Sequence, residues 1–159
     1  MNFAHIHLLL NHLPVIGIGF AFLVLAWGII RKNEEIVRTA LILFVVVAAL
    51  TIPTYLTGDP AGDVLTGMGV PEAAIERHDD AAGITLAAIE VLGVTALLGF
   101  IFFRRRERTP HWFLSVTLVL CFVAGGLAAW TANLGGQIRH PEATMGTPVP
   151  PPPPHLHTE

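Results

Sequence analysis

The sequence predicts an all-α integral membrane protein, a four-helix bundle running up-down-up-down with both termini outside. Three observations carry this reading: an apolar bulk composition, four long runs almost free of charge, and a lopsided placement of the basic residues. Of the 159 residues, 53% are hydrophobic and 13% charged. The mean hydropathy of +0.63 exceeds what a soluble domain of this size carries. About 20 apolar residues cross a hydrocarbon core of roughly 30 Å, so the length accommodates four spans with short connections. Residues 1–140 are read as the transmembrane domain and residues 141–159 as a tail.

The first span is predicted over about residues 5–30. No charge precedes Arg31, Pro14 lies near the start and Trp27 near the end. A cleavable signal peptide needs a basic n-region and a small-residue cleavage site, and neither flanks this run, so the segment is expected to be retained. The second span, about 38–57, ends near Pro53 and Tyr55, where lipid-embedded helices tolerate a proline and a tyrosine sits at the interface. The third, about 79–103, is interrupted only by Glu90, and the fourth, about 110–137, holds Cys121, Gly125, Gly126 and Trp130. Pro148 and the run Pro150 to Pro154 make the tail a polyproline II segment, a spacer or docking arm outside the bundle.

Orientation follows from the cations. Arg31, Lys32 and Arg38 separate spans one and two, and Arg104, Arg105, Arg106 and Arg108 separate spans three and four, which is seven of the nine Lys and Arg. Short loops rich in Lys and Arg stay cytoplasmic, so both termini are expected on the periplasmic side of a bacterial inner membrane. The connection between spans two and three carries Asp59, Asp63, Glu72, Glu76, Asp79 and Asp80, in keeping with that side. A net charge of -3 offers no basic surplus for nucleic acid. With one cysteine, Cys121, neither an internal disulfide nor a CxxCH haem attachment can form, so any haem is held non-covalently.

Seven of the eight histidines fall at or beyond the outer face: His5, His7, His12, His78, His140, His155 and His157. His155 and His157 read as tail polarity, and the exception, His111, as an interfacial cap beside Trp112. His12 and His78 lie at similar depth on spans one and three, which are diagonal in an up-down bundle. Two imidazoles on facing helices can approach a planar macrocycle from opposite sides, so a bis-histidine haem b is the sharpest expectation, with His7 or His140 as the substitute ligand. Arg77 and Arg139 stand beside His78 and His140 and would neutralise haem propionates, or anchor helix ends among headgroups. Gly17, Gly19, Gly83, Gly125 and Gly126 would leave room for a cofactor, although small residues also serve close helix packing.

Another metal reading uses His5, His7, His12 and His140 with Asp79 and Asp80 for copper, zinc or non-haem iron. His5 and His7 are two apart on helix and point to different sides, which disfavours a cluster using both. Glu90 lies about 14 Å along the helix from Ala81, near the midplane. An acid there is costly, so it is expected to face the interior, bonded to Thr85, Thr95, Ser115 or Thr117. It marks a proton or quinone pathway or serves as hydrogen-bonded glue between helices. His78 and Glu90 are roughly 120° apart around the helix and need not share a cavity.

Three segments resemble an uncharacterised family of bacterial four-helix membrane proteins. His7-Leu8-Leu9-Leu10-Asn11-His12-Leu13-Pro14 is similar to that family's HPxxVHFP opening, with the same spacing between the histidines. His78-Asp79-Asp80-Ala81-Ala82-Gly83 is similar to the start of its third helix, and Gly135-Gly136-Gln137-Ile138-Arg139-His140 to the GGxxxxRHG pattern ending its fourth. Leu8 replaces a proline, the glycine pair stands two residues closer to the Arg-His, and Pro141 replaces a glycine. Two residues fewer turn a helix by about 200°, which bears most on His140. The resemblance implies a membrane protein that binds haem beside respiratory or redox enzymes.

The sequence therefore predicts a b-type cytochrome-like electron-transfer subunit, non-catalytic by itself, relaying electrons between the membrane quinone pool and a periplasmic redox partner. The alternatives are a haem-free anchor or assembly subunit of a larger respiratory complex, and a copper or zinc handling membrane protein. A transporter is disfavoured because only Glu90 is ionisable at the midplane and no inverted repeat is visible. No nucleophile, base and orienting acid stand together at a hydrolase spacing.

Overall fold

Proline and glycine decide where the helices of this chain begin and break. A computed structural model describes residues 3–139, with side chains over residues 5–138, and every element among them is helical. These are α1 (Phe3–Leu10), α2 (Leu13–Arg31), α3 (Glu34–Leu56), α4 (Gly58–Gly67), α5 (Glu72–Phe103) and α6 (His111–Arg139). Four stretches are long and apolar enough to cross a membrane: His5–Arg31, Glu34–Gly67, Glu72–Phe103 and His111–Ile138. Their number matches the four spans expected. His140 and the proline-rich tail lie outside the described residues.

The boundaries differ from expectation for local reasons. Span one is broken at Asn11 and His12, because Pro14 falls in the first turn of α2 and has no N–H to continue the ladder from α1. Span two pauses at Thr57 and resumes as α4, so the acidic connection is largely helical. Helix α5 begins at Glu72, seven residues before the predicted start of span three, directly after Pro71. Its 32 residues make about 48 Å of helix at 1.5 Å per residue, more than a hydrocarbon core of roughly 30 Å needs. The charged residues among its first turns, Glu72, Glu76, Arg77, Asp79 and Asp80, lie at the end of this excess length.

At the opposite end α2 turns into α3 over two residues. Lys32 takes a left-handed conformation (φ 51°) and closes α2, and Asn33 caps α3 by accepting from the amides of Glu35 (3.0 Å) and Ile36 (3.2 Å). Glu34 and Glu35 in the first turn complement the helix dipole.

Helices α2 and α3, α3 and α5, and α5 and α6 pack side by side, and α2 closes the ring on α6. Spans one and three are thus diagonal. On α2 the buried face runs Ile18, Ala21, Leu25 and Gly28, while Ile16, Phe20, Leu23 and Ile30 point outward. Both faces are apolar, as a helix between bundle and lipid requires. Small residues line the contacts: Ala21, Ala40, Ala81, Ala96 and Ala124 are fully buried. A Cβ at Gly28 would come within 2.9 Å of the Val37 amide, and one at Gly93 or Gly99 would collide with Ala48 or the Phe113 ring. Without a hydrophobic force between helices in lipid, this close backbone approach supplies the packing attraction.

Candidate functional site

The start of α2, the end of α3, the start of α5 and the end of α6 surround a cavity of about 780 Å³, and α1 and α4, packed on each other, complete its wall. The volume is typical of cofactor-sized sites, about 300–1,000 Å³. His7, His12 and His78 all line it.

The half-buried rings of His7 and His78 are each fixed by a backbone carbonyl. His7 Nδ1 lies 3.0 Å from the Thr54 carbonyl oxygen and 3.3 Å from the Thr57 hydroxyl. His78 Nδ1 lies 3.1 Å from the Thr131 carbonyl oxygen. A carbonyl only accepts, so Nδ1 carries the proton in both rings and donates, which leaves Nε2 of each neutral ring with a lone pair. Metal-bound histidines are oriented in this way. The Thr54 carbonyl belongs to the last turn of α3, which ends at Leu56, and the Thr57 hydroxyl folds back onto the carbonyls of Pro53 (3.0 Å) and Thr54 (2.9 Å) beneath His7.

His78 is held from two more sides. The Thr131 hydroxyl pairs with the Thr85 hydroxyl at 2.8 Å, which ties α5 to α6 about two turns along α5 from His78. Gly135 presents bare backbone to the ring, where a Cβ would stand 3.0 Å from Cε1 and 3.3 Å from Nδ1. Gly58 faces Cε1 of His7 more loosely, at 3.7 Å from a built Cβ. His12 is exposed, occupies the cap position of α2 and makes no capping bond.

Asp59, Asp63, Glu72, Glu76 and Asp79 also line the cavity, so its mouth is acidic. The uncharged donors on its wall include Asn11, Tyr55 and Thr66. Arg77 lies elsewhere: its Nε donates to the Ala73 carbonyl (3.1 Å), and it borders a separate hollow with Gln137 and Leu134. The side chain of Arg139 and all of His140 lie outside what is described. Among the described residues no three His, Cys, Asp or Glu side chains are grouped to hold one metal ion.

Glu90 is half-buried with one carboxyl oxygen enclosed and no hydrogen-bond partner. Three of the four partners expected from sequence are otherwise engaged. Thr85 bonds to Thr131, Ser115 to the His111 carbonyl (3.1 Å) and Thr117 to the Phe113 carbonyl (2.9 Å). The hydroxyls of the last two satisfy their own helix instead of crossing to a neighbour. His78, Ala82 and Leu86 form one row on the cavity wall, and Glu90 continues that row one turn deeper.

The residues missed by sequence reading are Thr54, Thr57 and Thr131, together with Gly135 as the surface beneath His78; Thr85 was expected at Glu90 and pairs with Thr131 instead. Threonines spaced through apolar helices were their only signal, and that pattern is common.

The fold and cavity define a helical protein with four membrane-span-capable helices and a histidine-lined pocket at one end of the bundle. Comparison with known proteins adds nothing to that class: no family model, no curated protein and no solved structure matches the chain.

Proposed function

We propose that the chain is a membrane-anchored b-type cytochrome subunit that holds one haem b between His7 and His78. The observation that carries this reading is the pair of imidazoles on diagonal spans, each with Nδ1 committed to a backbone carbonyl and both on the wall of one cavity. A six-coordinate haem needs two protein ligands, which this pair supplies, whereas a mononuclear copper or zinc site needs three or four donors together. His12, the expected partner of His78, is exposed and lacks the second contact that orients His7.

Haem b would supply reversible one-electron exchange at this site. The chain's own part is to orient two rings through Thr54 and Thr131, to exclude lipid with the pair α1 and α4, and to set the field. Carboxylates around the mouth favour the oxidised, more positive state and pull the potential down. Asn11, Tyr55 and Thr66 would offer the propionates uncharged donors on this wall, since Arg77 is not on it. Alternating spans with the basic connections in the cytoplasm would put the cavity on the periplasmic side. There the subunit relays electrons between the quinone pool and a periplasmic redox protein.

The test is the dithionite-reduced spectrum of protein purified from haem-supplemented cells, with extraction of the pigment. A reduced α-band that disappears in His78→Ala is expected. No band and no extractable haem would overturn the reading in favour of a haem-free anchor subunit, and stoichiometric copper or zinc in its place would favour a metal-handling protein.

A further inference from the structure

We propose that the basic end of the bundle, opposite the histidine cavity, binds the headgroups of anionic phospholipids. Arg31, Lys32, Arg104, Arg105, Arg106 and Arg108 are all exposed there. They come from two separate connections, α2 to α3 and α5 to α6, and direct bonds join these into one surface. Arg38 donates from Nη2 to the Arg106 carbonyl at 2.7 Å and pairs through Nε with Glu34 at 3.8 Å, while the Thr109 hydroxyl donates to the same Glu34 carboxylate. Glu34 is thereby spent inside the clamp, and only Glu35 and Glu107 remain as exposed acids against six exposed cations.

Two of the guanidinium groups are placed over aromatic rings. Arg31 stands 5.4 Å from the Trp27 ring centroid and Arg106 5.5 Å from that of Phe103. Phe103 packs edge-on to Trp112 at 6.3 Å, and the indoles of Trp27 and Trp112 are 55% and 65% exposed. Indoles of this kind occupy the boundary between acyl chains and headgroups. The cations above them therefore stand at the depth of lipid phosphates, held by the ring contacts and by the clamp between connections. A ligand matching this surface is anionic at one end and apolar at the other, which describes a phospholipid and not a soluble anion.

The experiment uses the full chain in mixed micelles containing equal phosphatidylglycerol and phosphatidylcholine, and lipid retained after a neutral-detergent wash is quantified by mass spectrometry. Preferential retention of phosphatidylglycerol is expected, weakening about fivefold for each cation removed. The variant Arg104→Gln/Arg105→Gln/Arg108→Gln, which spares Arg38 and Arg106 of the clamp, should lose most of the preference. The corresponding Arg→Lys variant should keep it. If the glutamine variant fails to fold, raising the salt of the wash from about 0.05 M to about 0.5 M serves instead, because the shorter screening length should erase the preference of the unaltered chain. Equal retention of both lipids, a preference that survives the glutamine variant or the salt, or displacement by inorganic phosphate alone would overturn the proposal.

Discussion

The Nδ1 nitrogen of His78 lies 3.1 Å from the carbonyl oxygen of Thr131, joining α5 to α6 at the wall of the cavity. Thr131 also holds α5 through its hydroxyl, which meets that of Thr85 at 2.8 Å. One residue of α6 thus sets both the tautomer of the imidazole and the spacing of the helices that frame it.

His7 and His12 separate the ligand assignment. Haem retention should be lost in His7→Ala, because the ring fixed by Thr54 and Thr57 goes, and should persist in His12→Ala, whose ring is exposed. The reduced spectra of both variants decide this, and the opposite pattern would restore His12 as the ligand.

Gly135 and Gly58 form a matched pair. Gly135→Ala puts a methyl 3.0 Å from Cε1 of His78, so the ring must shift by a few tenths of an ångström against the Thr131 carbonyl. Complete loss of such an orienting contact weakens metal binding tenfold to about a hundredfold, and a weakening up to that range is expected. Gly58→Ala, at an ordinary 3.7 Å from His7, should leave haem affinity unchanged. Titration of the haem-free chain with haem measures both.

Thr85→Val removes the hydroxyl pair while conserving volume. Interhelical hydrogen bonds in membranes average about 0.6 kcal/mol and reach about 2 kcal/mol. Thermal unfolding in detergent should show a loss within that range. A loss far above it would mean that Thr85 holds something more than Thr131.

Glu90→Gln removes a carboxyl that has no hydrogen-bond partner. Stability should hold or rise, since an unpaired acid in a span is costly and an amide less so. If haem binding and any quinone-linked reduction also stay the same, Glu90 has no part in a proton pathway.

Much of the bundle was legible in the sequence, because lipid imposes a coarse rule: a span must be long, apolar and nearly free of charge. Arg31 and Arg108 marked the connections, and the apolar length between them set the number of helices. Pro14 and Pro71 carried the finer information about breaks, but a proline near a span end is compatible with a kink, a cap or a new start. At Asn11 the helix breaks, and α1 packs against α4. The positions of His78, Ala82 and Leu86 along one helix were also readable, while their shared place on the wall of one cavity was not.

The sequence by itself determined the class of environment, four apolar helices long enough to cross a membrane, and the gathering of histidines toward one end. These follow from composition and spacing, which act through solvation and need no partner in space. Only the tertiary structure decided which imidazoles have an oriented ring. That outcome depends on carbonyls of Thr54 and Thr131, 47 and 53 residues from the histidines they hold. Every residue has a carbonyl, so no side-chain pattern could identify these two before the helices were packed.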